Sequence, residues 1–231
     1  MPNILTLPIV IVVMLLSCGC AATNTSRLVY QSGAVLNTFS AAASLSISKG
    51  DQGMGSNGYL LYHRPDRMRM VILSPFGTTL MELYVNGDSI TIVDTSLGTA
   101  FSGLLDDLPR TGDGAAWQHV RWILEMDRPE NMIRTGELER DSRSGIKERV
   151  TVENGLIVSK VRSNGDMVRY NDYIVVNGVP LASEIIVDSH DGGRFRVKLS
   201  EPEVNVKLDP EAFVPKLDGL KIYPLAVLRG Q

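Results

Sequence analysis

The chain has 231 residues, of which 44% are hydrophobic and 21% charged, a composition typical of a globular protein. Its formal net charge of -3, without a stripe of Lys and Arg interleaved with aromatic residues, argues against nucleic-acid binding. The only cysteines, Cys18 and Cys20, lie near the N-terminus, so the rest of the chain has neither a disulfide nor a cysteine nucleophile. The ~200 residues that follow are enough to be stabilised by their own hydrophobic core.

An apolar run from Ile4 to Leu16 opens the chain. It is shorter than the roughly 20 residues of a membrane-spanning helix, and its length is typical of the hydrophobic segment of a secretory signal peptide. The residues that end it, Leu15-Leu16-Ser17-Cys18, resemble the lipobox of bacterial lipoproteins, in which cleavage precedes a cysteine that then receives diacylglycerol. Cys20 is the alternative acceptor, and an ordinary cleaved signal peptide or a membrane anchor is the alternative interpretation of the whole segment.

These patterns divide the chain into three predicted parts. They are a lipoprotein signal peptide over residues 1–17, a lipidated cysteine with a short polar tether over 18–26, and a single domain over 27–231.

The first element predicted after the tether is a helix from Ser26 to about Phe39, with Ser26 as its N-cap. Strand patterns follow in close succession, separated by Asn-Gly and Asp-Gly turns, and this spacing indicates an antiparallel meander. The predicted strands are SLSIS, GYLLYHR, RMRMVIL, TLMELYV, SITIV, KERVTVEN, LIVSKVRS, DMVRYNDYIVV, LASEIIVD and RFRVKLSE.

One helix is predicted to interrupt the strands, in the segment DGAAWQHVRWILEM, which begins with Asp113 as N-cap. Trp117 lies on its main apolar face, and Trp122 lies off that face. A helix that is apolar on two sides is mostly buried, so we expect it to pack against the concave face of a curved sheet.

The hairpin RMRMVILSPFGTTLMELYV shows a period of two on both sides of its turn. Arg69 and Glu82 point away from the apolar face and are expected to pair on the solvent side. Methionine adapts to varied shapes, so the apolar face suits a cavity for flexible acyl chains, although ordinary core packing explains the same pattern. The residues of that face are Met68, Met70, Ile72, Met81, Leu83 and Val85.

Phe76 stands at the tip of this hairpin, between Pro75 and Gly77. Pro75 fixes the chain direction and Gly77 permits a positive φ, so a tight turn is predicted that presents the Phe76 ring outward. Exposed aromatic residues are favoured at membrane interfaces, which makes the ring a candidate for contact with a bilayer or a partner. The alternative is that Phe76 folds back beneath a neighbouring loop.

The segment RMRMVILSPFGTTLMELYVNGDSITIVD resembles the third-to-fifth-strand region of the LolB outer-membrane lipoprotein receptors. The segments YNDYIVVNGVPLASEIIV and VNVKLDPEAFVPKL are similar to the C-terminal part of the wider LolA/LolB superfamily. The resemblance implies an α+β, mostly β fold: a half-open curved antiparallel β-barrel whose concave apolar side is closed by helices and lined by the hairpin residues and both tryptophans. Phe76 stands where the family carries the apolar residue needed for transfer, usually a leucine. The chain is longer than typical LolB proteins at its C-terminal end.

By this resemblance the protein accepts client lipoproteins from a LolA-like periplasmic carrier and inserts them in the outer membrane, to whose periplasmic face Cys18 anchors it. No ATP, cofactor or metal is expected, and we expect a monomer. Two alternatives stay open: a lipid-binding sensor or structural envelope lipoprotein on the same scaffold, and an envelope hydrolase.

Few residues suggest chemistry. The segment GMGSNG matches a dinucleotide-binding glycine pattern, but a strand follows it where a helix is needed, so a Gly-rich hairpin loop is predicted. Asp188, His190 and Asp191 can be explained as a polar turn without a metal. No nucleophile, base and orienting group are spaced as a catalytic set, so we do not predict an enzyme.

Overall fold

The computed structural model describes residues 28–31, 33–108, 119–124, 134–142 and 145–230. Within these residues thirteen strands form one sheet, and there is one short α-helix, α1 (Val120–Leu124). The strands are β1 (Thr38–Lys49), β2 (Gln52–His63), β3 (Arg67–Leu73), β4 (Thr79–Asn86), β5 (Ser89–Asp94), β6 (Thr99–Leu104), β7 (Gly136–Asp141), β8 (Lys147–Glu153), β9 (Leu156–Arg162), β10 (Met167–Val176), β11 (Val179–Asp188), β12 (Gly193–Val204) and β13 (Lys221–Pro224).

The sheet consists of two meanders joined side by side. Strands β1 to β6 form one meander, β7 to β12 form the other, and β1 pairs with β12 at the seam. Strand β13 adds to β6 in parallel, whereas every other neighbouring pair is antiparallel. The outermost strands, β7 and β13, are not neighbours, so the sheet is open and the predicted mostly β, open architecture is confirmed.

A single core on the concave face shows how strongly the sheet curves. Met68 and Leu83 from the first meander belong to the same buried cluster as Val150 and Val168 from the second. Helix α1 contributes Val120, Trp122 and Ile123 to this cluster. In the described part of the chain α1 is the only α-helix on this face, so the expectation that several helices close it is not supported there.

The two ends of the sheet differ in what they carry. The β3–β4 and β5–β6 turns share one end with the β1–β2 and β11–β12 turns, and we call this the Phe76 end. Residues 28–31 lie at the opposite end, which we call the tether end. There the Gln31 amide donates to the Gly178 carbonyl over 3.0 Å, and the Tyr30 hydroxyl donates to the Asn154 carbonyl over 2.7 Å.

The helix predicted from Ser26 to Phe39 is wrong for the residues that the structure describes there. Residues 28–31 and 33–37 are not helical, and β1 begins at Thr38. Gly33 has a φ of 79°, which a right-handed helix does not allow, and the Asn37 amide donates to the Asn205 side chain over 2.8 Å. Tertiary hydrogen bonds therefore replace those of a helix.

The Gly-rich loop predicted for GMGSNG is also wrong, because residues 53–58 lie within strand β2. The glycine at position 58 has a steric reason. A Cβ added there would lie 1.8 Å from the Val71 carbonyl oxygen of the adjacent strand, so only glycine permits this approach of the two backbones.

A C-terminal strap, residues 205–224, crosses the convex face and ends in β13. Phe213 is buried in it, with the Arg67 guanidinium 5.6 Å from the ring centre. Leu217 and Leu220 pack on a second apolar cluster made by Tyr84, Val93 and Ala100.

The strap also covers the predicted pair between Arg69 and Glu82. Arg69 Nη2 lies 2.7 Å from Glu82 Oε2, and Arg69 donates a further hydrogen bond to the Ala212 carbonyl over 3.4 Å. The pair was expected on an open solvent face, and it is partly buried because the strap lies over it.

Candidate functional site

The concave face holds an apolar cavity between α1 and the sheet. Val120 and Ile123 of α1 form one side of it, and Met68 and Met70 of β3 form another. The empty space is about 20 Å³, close to the volume needed for one water molecule. An acyl chain can therefore enter only if side chains on one side of this interior move away.

The predicted lining residues take different positions on this face. Met68 and Met70 line the cavity itself, whereas Leu83, Val85 and Trp122 are buried in the surrounding core. Ile72 and Met81 are partly buried and pack at its edge. Trp117 lies outside the described residues, as do Cys18 and Cys20.

Phe76 is 92% exposed at the tip of the β3–β4 turn. The Gly77 amide donates to the Ser74 carbonyl over 2.9 Å, the Ser74 amide donates to the Thr78 carbonyl over 2.7 Å, and Gly77 has a φ of 81°. The Ser74 hydroxyl also accepts from the amides of Phe76 and Thr78, each over 3.2 Å. The turn is therefore closed by its own hydrogen bonds, and none of the described residues covers the ring.

Helix α1 is held by a buried polar network. The Trp122 indole N–H and Arg140 Nε both donate to the Glu148 carboxylate, the latter over 2.7 Å. The Lys160 ammonium donates to the Trp122 carbonyl and lies 5.4 Å from the centre of the Trp122 ring. The side chains of Glu148 and Lys160 are almost completely buried. Each charge is therefore stabilised by these hydrogen-bond partners in place of water.

Among the described residues, the hydrogen bonds of this network join α1 to the second meander. Its members lie on β7, β8 and β9, and the Tyr170 hydroxyl of β10 donates to the Ile123 carbonyl over 2.8 Å. Val120 and Ile123 of α1 line the same apolar cavity as Met68 and Met70 of β3. Each hydrogen bond of the network joins α1, or the Glu148 carboxylate beneath it, to β7, β8, β9 or β10.

Glu148 and Lys160 were missed in the sequence, although a signal was present. Glu148 has the same strand parity as the buried Val150 and Val152, so the period of two places a carboxylate inward. Lys160 lies in the neighbouring strand, with Val150 as its pairing partner. An inward acid and an inward base on adjacent strands mark a buried polar network.

A second polar group lies where α1 begins. Asp166 accepts from the backbone N–H and the Nδ1 of His190 over 3.0 and 2.8 Å and from the Asn164 amide over 2.8 Å. Burial raises the pKa of Asp166, but these hydrogen bonds outweigh it and the pKa is lowered overall. His119 is buried 3.9 Å from the same carboxylate, and burial lowers its pKa despite the opposing effect of Asp166.

The remaining candidates for chemistry do not assemble into a site. Asp188 pairs with Arg169 and Arg194 on the sheet surface, and Asp191 pairs with Lys49 over 2.6 Å. In the part of the chain that the structure describes, no three metal-ligating side chains are grouped together. The same part contains no helix long and apolar enough to cross a bilayer.

Comparison with solved structures identifies the class of fold. A LolA superfamily protein from Nitrosomonas europaea matches 82% of this chain and 94% of its own, with a TM-score of 0.51 and 10% identity. A domain described as an outer membrane lipoprotein-sorting protein, from Vibrio parahaemolyticus, matches 77% and 89%, with a TM-score of 0.54 and 9% identity. A DUF1329 family protein from Desulfovibrio piger matches 78% and 90%, with a TM-score of 0.57 and 12% identity. The open curved sheet is thus a LolA-like fold.

The family follows from the sequence. The model of the family described as outer membrane lipoprotein LolB matches residues 37–201, which is most of the chain and runs from just before β1 into β12. The chain therefore belongs to the LolB family, and the resemblance noted in its hairpin is confirmed. The C-terminal strap lies beyond the matched residues. No curated protein sequence matches the chain closely enough to count as a relative.

Proposed function

We propose that this protein is an outer-membrane lipoprotein that accepts lipoproteins from a LolA-like periplasmic carrier and inserts them in the outer membrane. The observation that carries the proposal is the exposed Phe76 ring on a hydrogen-bonded turn. The two strands that form this turn bear the methionines and aliphatic residues of the apolar interior. One hairpin thus provides both the contact with the bilayer and part of the acyl-binding interior. Membership of the LolB family supports this combination of roles.

Acyl chains of the client enter between α1 and β3 once these two separate. Each methylene group withdrawn from water contributes about 0.8 kcal/mol, so a protein interior and a bilayer are both favourable environments for the chain. Transfer then needs only a difference in affinity between carrier, receptor and membrane, and no nucleotide is consumed. Met68 and Met70 adapt to the shape of the chain because their side chains are unbranched and polarisable.

The protein works as a monomer on the periplasmic face of the outer membrane, with the acyl groups of Cys18 as its anchor. The Cys18→Ala variant should lose acyl labelling in cells grown with labelled fatty acid, while a Cys20→Ala variant keeps it. Continued labelling of Cys18→Ala would identify Cys20 as the acceptor.

The test of transfer compares the native domain with Phe76→Glu, each without residues 1–20. Client lipoprotein bound to its carrier is mixed with outer-membrane vesicles, and incorporated lipoprotein is measured with time. Phe76→Glu should bind acyl chains normally and lose incorporation, because a carboxylate is costly to place in hydrocarbon. Val29→Glu is the matched control, since Val29 is 88% exposed at the tether end. Equal incorporation by native protein and Phe76→Glu would contradict the proposal.

The near-filled interior favours one alternative function. A cavity of about 20 Å³ also fits a lipid-binding sensor or structural envelope lipoprotein on this scaffold that does not transfer lipoproteins. Such a protein would raise neither the rate nor the yield of lipoprotein incorporation in the same assay.

A further inference from the structure

A second exposed apolar turn lies beside Phe76. Leu97, in the turn between β5 and β6, is 71% exposed, and Leu80 at the start of β4 is 39% exposed. The strand order places both turns at the Phe76 end, two strand spacings apart, which is about 10 Å. The two tips therefore stand side by side on one edge of the sheet.

The Leu97 turn is fixed relative to the Phe76 hairpin. The Thr95 amide and hydroxyl both donate to the Leu80 carbonyl, over 3.0 and 2.8 Å. The Asp94 carboxylate at the base of the turn accepts from the amides of Ser96 and Leu97, each over 3.0 Å. The turn thus keeps its shape without support from Leu97, whose side chain makes no contribution to the turn's hydrogen bonds.

The pattern of charge indicates what occupies this edge. No charged residue occurs from Ser74 to Met81 or from Thr95 to Leu104, and the Asp94 charge is directed into its own turn. Other turns at the same end carry charges, including Lys49 and Asp191. An uncharged edge with hydroxyl and apolar side chains suits the hydrocarbon boundary of a bilayer, whereas protein-binding surfaces usually have a polar rim.

The membrane that holds the anchor is within reach of this edge. Leu28 is ten residue steps along the chain from Cys18, a length of at most about 36 Å when extended. Leu73 is level with Ser44 through their shared partner Asn57, so Phe76 stands about 30 Å from the tether end. We propose that Leu97, with Leu80 behind it, is a second membrane-inserting contact that acts together with Phe76; the inference rests on the function proposed for Phe76.

The experiment places a fluorophore at Leu97 in the full-length anchored protein. Leu97→Cys is labelled with an environment-sensitive dye, after whichever of Cys18 and Cys20 is not lipidated has been replaced by Ser. The protein is reconstituted in phosphatidylethanolamine–phosphatidylglycerol vesicles that contain lipids with a quencher on the acyl chain. Phe76→Cys is the positive reference, and Leu104→Cys is the matched control, because Leu104 is 53% exposed at the other end of β6.

We expect quenching at positions 76 and 97 and none at 104. Leu97→Asp should slow lipoprotein incorporation about tenfold, the effect of keeping one leucine side chain out of hydrocarbon, while Leu104→Asp leaves it unchanged. Quenching at 76 without quenching at 97 would overturn the inference and leave the proposed function intact. Absence of quenching at both positions would remove the membrane role of Phe76 as well, and equal quenching at 104 would show that no particular edge is used.

Discussion

The charged side chains around Trp122 fix α1 in place, and their energetic role follows from their burial. The Glu148 carboxylate is removed from water and receives hydrogen bonds from Trp122 and Arg140. Loss of one partner of a buried ion pair leaves the other charge without compensation, which is far more costly than loss of an exposed pair.

Arg140→Met should therefore lower the free energy of unfolding by about 3–5 kcal/mol. Arg149→Met is the matched control on the adjacent strand. Its guanidinium lies 3.9 and 4.0 Å from Glu137 and Glu139 in an exposed setting, so its loss should cost less than about 1 kcal/mol. Urea unfolding of both variants measures the difference. Similar losses for the two would mean that Glu148 finds another partner.

His119 makes the stability depend on pH. Its folded-state pKa lies below the ordinary value of 6.5, so protonation favours the unfolded chain and stability is lost as the pH falls below about 6.5. Asp166, whose pKa is also lowered, acts in the same direction at more acidic pH. We expect the loss of unfolding free energy between pH 7.5 and 5.5 to be smaller in His119→Gln than in the native protein. An equal loss in both would assign the pH dependence to other groups.

At the residue level, the alternation of apolar and polar residues along a strand predicts the face of the sheet to which each side chain points. Arg69 pairs with Glu82, and Met68 and Met70 point inward, because alternation determines the face of each side chain. For Glu148 and Lys160 the period of two indicates inward side chains, but their contacts with α1 were not predictable, because that helix is distant from both strands in the chain.

At the level of elements, the strand positions that were predicted correctly are those bounded by recognisable turn sequences. The strands bounded by Asn-Gly turns, such as β4, β8 and β11, lie where the sequence predicts them. Strand β6 was missed because its sequence, TAFSGL, lacks a regular alternation, and β7 was missed because its charged residues hide the alternation. Strand β13 was missed because it has only four residues and pairs with β6, from which it is distant in the chain. The N-terminal helix was wrongly predicted because tertiary hydrogen bonds outweigh a weak helical pattern around Gly33.

Strand β2 contains three glycines, and alanine substitutions test which of them is required by the close approach of a neighbouring strand. Gly58→Ala should destabilise the protein by at least about 1–3 kcal/mol, because its Cβ would overlap the Val71 carbonyl and force β2 and β3 apart. Gly55→Ala is the control in the same strand: its Cβ would meet only the Leu45 carbonyl at 3.5 Å, an ordinary contact. That variant should be neutral or more stable by about 0.5–1 kcal/mol. Thermal unfolding distinguishes the two, and equal effects would contradict the steric explanation.

For the whole molecule, the chain enters the sheet at the end opposite Phe76, so under the proposed function the length of the tether should limit transfer. Deletion of residues 21–25 leaves five residues from Cys18 to Leu28, a reach of about 17 Å. The anchored variant should lose lipoprotein incorporation, because Phe76 can no longer reach the membrane that holds the anchor. Five Gly and Ser residues in place of those deleted should restore it. Normal incorporation by the shortened protein would show that Phe76 acts elsewhere.

The pairing of β1 with β12 has a consequence for biogenesis. Phe39 pairs with Val204, so the long outer side of β1 stays unpaired until almost the whole domain is available for folding. Contacts between such distant parts of a chain form slowly, and bare strand edges promote aggregation. Closure of this seam should set the folding rate, and a chaperone that shields β1 during that interval would raise the yield of native protein.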